Sequence, residues 1–199
     1  MNHPAARTRR AAQAPPPLPA FVPPMLAQPG APFDSDDHLF EVKWDGTRML
    51  VFRDASGCRL LNRHGAHRTT QYPEFAGLTQ LPVGTILDGE MIVLQQGQPD
   101  FGRLLSRDLA CQPLKIQLLA RSLPATYVAF DLLYARHRSL LSQPLHERRA
   151  QLRALVAALG QPQVVFCEGI VGAGREFSSP CRPPPGSAGG LGVSIPGGA

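Results

Sequence analysis

Two Asp-Gly dipeptides constrain this chain more than any other feature. Asp45-Gly46 and Asp88-Gly89 each stand inside a run rich in apolar and β-branched residues. Asp-Gly between such runs is among the strongest short-range signals for a turn between strands. Residues 40–52 therefore read as two short strands separated by Asp45-Gly46. Residues 85–88 and 90–94 read as a strand pair around Asp88-Gly89. Further strands are expected at 59–63, closed by His64-Gly65, at 126–134, which is apolar and aromatic with one Asp, and at 164–170. Helical spacing is found at 101–109 and at 145–159. In the latter, Leu145, Leu152, Leu155, Val156 and Leu159 alternate with Glu and Arg, and Pro144 stands near the start. Tyr72-Pro73-Glu74-Phe75 opens a loop or short helix. Short strands with few helices predict an α+β domain with largely antiparallel sheets. Neither GxGxxG nor GxxxxGK[ST] occurs, which excludes Rossmann and P-loop readings.

The pattern has edges. Residues 1–21 are rich in Ala, Pro and Arg and show no apolar periodicity, so a disordered lead-in is expected there. The ordered domain is expected over 22–177. In residues 178–199, eleven of 22 are Gly or Pro and no face is apolar, so this stretch is expected to be a disordered tail. The change is abrupt, and a frameshift in a truncated gene is a stronger expectation than a natural linker. The four cysteines, Cys58, Cys111, Cys167 and Cys181, form no CxxC pair, which argues for isolated reduced thiols. No apolar run nears the roughly 20 residues that span a bilayer, and no secretory leader is visible, so a cytoplasmic protein is expected. A net charge of +5 suits a polyanionic partner such as a nucleic acid, though three of the arginines lie in the lead-in.

Eighteen of the twenty basic residues are arginines, and the only lysines are Lys43 and Lys115. In an arginine-biased chain, a retained lysine marks a place where arginine cannot serve. A lysine amine can lose its proton and attack an electrophile, whereas a guanidinium effectively cannot. Lys43 begins Lys43-Trp44-Asp45-Gly46. On an extended segment, residues 43 and 45 face the same side and could present a nucleophile and its charge partner to one pocket. Gly46 permits a tight turn or a close ligand approach, and Arg48 could reach a phosphate. Alone, this tetrapeptide reads more readily as a surface Lys–Asp pair beside a hairpin turn. In Leu87-Asp88-Gly89-Glu90-Met91, a buried Glu90 would need a ligand hydroxyl, a metal or an arginine as partner. Phe130, central in Tyr127-Val128-Ala129-Phe130-Asp131-Leu132-Leu133, is either ordinary core or a face on which a purine stacks.

The succession is more specific than any one motif. Pro24-Met25-Leu26-Ala27 is followed by Glu41-Val42-Lys43-Trp44-Asp45-Gly46-Thr47-Arg48 and Leu61-Asn62-Arg63-His64-Gly65. Then come Tyr72-Pro73-Glu74-Phe75, Leu87-Asp88-Gly89-Glu90 and Phe130-Asp131-Leu132-Leu133. In this order the chain resembles the covalent nucleotidyltransferase superfamily, in particular ATP-dependent DNA ligases of the kind associated with bacterial end-joining repair. The resemblance implies an antiparallel-sheet, ATP-grasp-like adenylation domain, incomplete at its C-terminal end. It implies Lys43 as the nucleophile that attacks the ATP α-phosphorus and holds AMP. Arg48 and Arg63 would contact the nucleotide or the nick. Glu90 would bind the ribose hydroxyls, Phe130 would stack on adenine, and the backbone near Glu41 and Val42 would read the adenine edge. Asp45, Gly46 and Asp88 would support them. ATP with a divalent cation, normally magnesium, would be the cofactor. Nicked double-stranded DNA would be the partner, with end-joining repair proteins in addition.

The chain departs from the family after this point. Members carry a Glu-Gly-x-Val-x-Lys motif and then a lysine pair near the phosphates. Glu168-Gly169-Ile170-Val171 is followed by Gly172 and Ala173, and no lysine occurs after Lys115. The segment is read as a strand ahead of the true motif. The oligonucleotide-binding barrel that follows in the family has no counterpart here. Full nick sealing by this polypeptide is therefore not expected. The alternatives are an inactive fragment with residual nucleotide or nucleic-acid binding, and an RNA ligase or capping-type nucleotidyltransferase.

Overall fold

In a strand, successive side chains point to opposite faces, and this chain uses both faces of its main sheet. The structure is a computed structural model describing residues 16–26, 30–178 and 191–194. In chain order its elements begin with β1 (Ser35–Val42), β2 (Thr47–Asp54), β3 (Gly57–Asn62) and two 3-10 stretches, Thr69–Gln71 and Pro73–Gln80. There follow β4 (Thr85–Gln95), β5 (Gln98–Pro99), α1 (Phe101–Asp108), α2 (Pro113–Ser122), β6 (Ala125–Ala135) and β7 (Arg138–Ser139). The last are α3 (Leu145–Leu159), β8 (Val164–Phe166), β9 (Gly169–Gly172), α4 (Gly174–Ser178) and β10 (Leu191–Ser194). The main sheet runs β3-β2-β4-β6-β7, with β5 added to β4 and β8 lying parallel beside β6. A second sheet has the order β10-β1-β9. The expected α+β class with largely antiparallel sheets is what the chain adopts.

One face of the main sheet carries Met49, Val51, Leu87, Met91, Tyr127 and Ala129. It packs against Leu78, Leu104 of α1 and Leu152 of α3 in the largest core cluster. The opposite face is divided. At one end Leu50, Phe52, Ile86 and Leu133 are covered by Leu18, Phe21 and Val22. At the other, Ile92, Val128 and Cys167 pack with Trp44 and Phe130. Arg48, Asp88 and Glu90 lie between these two apolar patches on the same face, because each stands an even number of residues from Leu50, Ile86 or Ile92.

Several expectations are revised. Asp88-Gly89 is not a turn: β4 is one continuous strand of 11 residues through both. Asp88 stays in the sheet because Arg48 neutralises it. Gly89 is needed for close approach, since a Cβ there would lie 2.5 Å from the Tyr127 ring and 2.5 Å from the Val128 carbonyl oxygen. Asp45-Gly46 does connect two strands, but β1 and β2 belong to different sheets, so the link is a crossing between sheets and not a hairpin. Residues 43–46 lie outside both strands, so the extended alternation expected for Lys43 and Asp45 does not apply. The strand expected at 164–170 is two, broken at Cys167-Glu168, and α2 was not foreseen. Leu18 and Phe21 pack on the sheet, which carries the folded body upstream of residue 22. Leu191–Ser194, within the expected tail, pairs with β1; residues 179–190 and 195–199 lie outside the described residues.

A buried arginine ties the helices to this frame. Arg107 of α1 is fully buried and its guanidinium forks onto Glu74, with Nη1–Oε1 at 2.8 Å and Nη2–Oε2 at 2.9 Å. It also donates to the carbonyls of Leu123 (2.6 Å) and Gln71 (2.7 Å). Glu74 in turn accepts from the backbone N–H of Ala125 at the start of β6. The Tyr72-Pro73-Glu74-Phe75 motif thus closes one side of the main core.

Candidate nucleotide site

Antiparallel register sets the centre of the site. Arg48 pairs with Glu90 across β2 and β4, and Glu90 pairs with Val128 across β4 and β6. The β4–β6 register then slips: Asp88 faces Asp131 while Gly89 faces Ala129. The extra residue in this bulge is Phe130. Bulges re-aim side chains beside functional sites. Here the Phe130 ring lies beneath the Arg48 guanidinium, with Cζ 4.4 Å from the ring centroid. Arg48 also makes a two-pronged pair with Asp88, Nε–Oδ1 at 2.5 Å and Nη2–Oδ2 at 2.6 Å. One guanidinium therefore fixes a carboxylate and an aromatic ring on neighbouring strands.

Glu90 has no such fork. Burial pushes its carboxyl up to about 7, partly offset by the positive charge of Arg48; Asp88 and Asp45 push it further up, and Lys43 opposes them. The loop of residues 43–46 lies against β4 beside Glu90. The loop is held down by Gly46, where a Cβ would fall 2.3 Å from the Met91 carbonyl oxygen and 2.8 Å from the Glu90 side chain. Trp44 packs against the Ile92, Val128, Cys167 and Phe130 patch. Lys43 itself is exposed, directly after the end of β1.

Of the residues expected from sequence, Lys43, Asp45, Gly46, Arg48, Asp88, Glu90 and Phe130 converge here. Glu41 does not present its side chain to this cluster; its buried carboxylate pairs with Arg149 of α3. The backbone of Glu41 pairs with Gly192 and Gly169, and that of Val42 with Leu191, so the edge expected to read adenine lies within the second sheet. The Val42 side chain is exposed. Arg63 is exposed in the turn after β3, donating Nε to Nε2 of His64 at 3.0 Å. That turn is built by Asn62, whose side chain accepts from the backbone N–H of His64 and of Ala66. Arg149 was missed, although the sequence carried a signal: it shares a helical stripe with Leu145, Leu152 and Val156, and a charge on an apolar stripe needs a buried partner. Burial pushes the Cys167 thiol up to about 12, which leaves it inert. Cys58, Cys111 and Cys167 are free thiols; Cys181 lies outside the described residues.

Among the described residues, no group of three or more His, Cys, Asp or Glu side chains could hold a metal ion, and Asp88 is already committed to Arg48. No helix among the described residues is long and apolar enough to cross a membrane.

The model of the ATP dependent DNA ligase domain matches residues 24–169, most of the chain. The chain belongs to the ATP-dependent DNA ligase family. It is 33% identical over 159 residues to the SPbeta prophage-derived DNA ligase-like protein LigB of Bacillus subtilis (strain 168), covering 79% of this chain and 55% of that protein. It is 34% identical over 137 residues to the multifunctional non-homologous end joining protein LigD of Mycolicibacterium smegmatis, covering 66% of this chain and 16% of that one. Among solved structures it is similar to a mycobacterial DNA ligase D complexed with ATP and MES, with a TM-score of 0.62 and 30% identity. That match covers 78% of this chain and 48% of that chain. The chain therefore spans about half the length, or less, of these relatives. Its relatives include bacterial end-joining proteins, and the fold is that of the nucleotidyltransferase domain of ligase D.

Proposed function

We propose that this ligase chain takes up AMP from ATP on Lys43 as the first step of sealing a 5′-phosphorylated nick in double-stranded DNA. The observation that carries the reading is the convergence of Lys43, Glu90, Arg48 and Phe130, drawn from three strands and one loop, on a single sheet face. In the first step the neutral Lys43 amine attacks the α-phosphorus of ATP. A P–N bond forms, the bond to the bridging oxygen breaks, and pyrophosphate leaves with the electron pair; the amine proton passes to solvent. Glu90 accepts hydrogen bonds from the ribose hydroxyls, and the aromatic ring of Phe130 supports the base. Arg48, held by Asp88, supplies fixed positive charge beside the nucleotide. The divalent cation enters as part of the substrate, magnesium–ATP, bound through the phosphates.

In the later steps, which this polypeptide is not expected to complete alone, the 5′-phosphate at a nick would displace Lys43 from AMP, and a 3′-hydroxyl would then displace AMP to close the strand. The partner is nicked DNA, in the setting of end-joining repair, which suits the +5 charge of the chain. A bacterial cytoplasmic location follows from that partner.

Incubation with radiolabelled ATP and magnesium tests the first step. Covalent label is expected on the unsubstituted chain and none on Lys43→Arg, because a guanidinium keeps its proton. Label persisting on Lys43→Arg would remove Lys43 as the nucleophile. Label from GTP in preference to ATP would instead indicate a capping-type enzyme.

A further inference from the structure

Arg149 lies on α3, outside every motif of the site, yet it is buried and reaches three separate pieces of chain. Its Nη1 donates to the Glu41 carboxylate on β1, two residues before Lys43. The same Nη1 donates to the carbonyl oxygen of Phe130, the bulged residue of β6, at 2.9 Å. Its Nη2 donates to the carbonyl oxygen of Cys167 at 2.6 Å, in the break between β8 and β9. The guanidinium is also stacked against Phe166, 4.7 Å from the ring centroid. β1 and β6 belong to different sheets, so this side chain directly bridges the strand that delivers Lys43 and the strand that delivers Phe130.

We propose that Arg149 is the positioning residue of the adenylation step, fixing the Lys43 loop against the Phe130 bulge through Glu41. This rests on the reading of Lys43 as nucleophile. A bulged residue has a carbonyl outside the regular ladder, and a loop between two sheets has no ladder at all. Both need an external anchor, and one planar fork supplies it to both. Lysine is a single point charge and cannot hold three acceptors in one plane. Charge balance with Glu41 survives Arg149→Lys; the geometry does not. A misplacement on the order of 1 Å at a reacting group can cost about 100-fold in rate.

Trp44, the only tryptophan of the chain, adjoins Lys43 and packs against the cluster of Ile92, Val128 and Cys167 that Phe130 also packs against. Its fluorescence reports the anchored loop without any turnover. The experiment compares the unsubstituted protein, Arg149→Lys, Glu41→Gln and Arg148→Lys. Arg148 is a control one residue away, buried, with its own fork to Asp131 of β6 at 2.9 Å. Arg149→Lys is expected to slow labelling at saturating ATP by about 10- to 100-fold. It should also move Trp44 emission to the red and raise its quenching by acrylamide. Glu41→Gln keeps the side-chain volume and one acceptor, so it folds and is expected to show the same changes, smaller. Arg148→Lys is expected to lower thermal stability while leaving both the labelling rate and the Trp44 spectrum in place.

The proposal is overturned if Arg149→Lys and Glu41→Gln leave Trp44 emission unchanged, or if Arg148→Lys moves it equally. It is also overturned if an active parent labels within about 2-fold of the Arg149→Lys rate at saturating ATP, since the expected loss is ten times or more. No label on the unsubstituted protein counts against the Lys43 reading alone, because the Trp44 comparison still decides whether Arg149 anchors the loop.

Discussion

Replacing Glu90 by Gln should make this protein more stable near pH 8 while lowering its proposed uptake of AMP. Burial and the charges of Asp88 and Asp45 raise the Glu90 carboxyl from 4.5 to about 7 against the pull of Arg48 and Lys43. The folded protein therefore binds this proton more tightly than the unfolded chain does. Stability from Glu90 is fully present below about pH 4.5 and is lost as pH rises through about 7. At roughly 1.4 kcal/mol per pH unit, the full penalty on the ionised form is about 3 kcal/mol. Glu90 is only partly shielded, and solvent screening brings the expected share to about 2 kcal/mol. Gln has the same shape and no charge, so Glu90→Gln should recover about 2 kcal/mol at pH 8. For a domain of this size that is a rise of roughly 4–8 °C in Tm. At pH 4.5 the two proteins should melt together. Covalent AMP labelling should fall, since a carboxylate accepts from both ribose hydroxyls and an amide oxygen is a weaker acceptor. Thermal melts between pH 4.5 and 8, monitored by circular dichroism, give the comparison. A Glu90→Gln protein that is no more stable than the parent at pH 8, or that keeps the parent's pH slope between 4.5 and 7, would refute the electrostatic account of this site.

Two further substitutions test the frame around it. Gly89→Ala forces a Cβ to within 2.5 Å of both the Tyr127 ring and the Val128 carbonyl oxygen, so it should destabilise by at least about 3 kcal/mol, read from urea midpoints; a near-neutral result would mean that β4 tolerates a turn there after all. Arg107→Met strands the Glu74 carboxylate and the carbonyls of Leu123 and Gln71, and should cost about 3–5 kcal/mol by the same measurement, with α1 and α2 losing amide-exchange protection first.

The parts of the site visible in the sequence were those whose chemistry is local. Lys43 stood out because a chain with eighteen arginines kept only two lysines, and Glu90 because a carboxylate in an apolar run needs a partner. The helix at Leu145–Leu159 was legible to the residue, since Leu145, Leu152 and Val156 mark its stripe and Gly160 ends it in the left-handed conformation at φ 62°. α2 was not legible because its apolar residues mark no stripe: Ile116 is buried, but Leu114 and Leu118 face solvent. Arg149 hid in plain view on the stripe of α3. What decided its partner was a strand more than 100 residues upstream, and no local pattern carries that distance.

Asp88-Gly89 shows why such a failure is physical and not accidental. A carboxylate beside a glycine inside an apolar run has two ways to avoid being buried unpaired. The chain can leave the sheet and solvate the carboxylate at a turn, or it can stay and bring a cation to it. Both solutions use the same two residues, so local sequence does not separate them. Arg48 selects the second, and only because β2 pairs with β4 in the register that sets Arg48 opposite Glu90 and Leu50 opposite Asp88. The glycine is then kept for a reason unrelated to turning, the approach of Tyr127 from β6. The sheet thus buries one carboxylate with a partner, Asp88, and holds a second, Glu90, with its carboxyl raised to about 7 and an exposed lysine beside it. A face that leaves one carboxylate under-satisfied among satisfied neighbours is poised for a ligand with hydroxyls to offer, and that asymmetry is what fits this face of the sheet to the proposed nucleotide and not to a core.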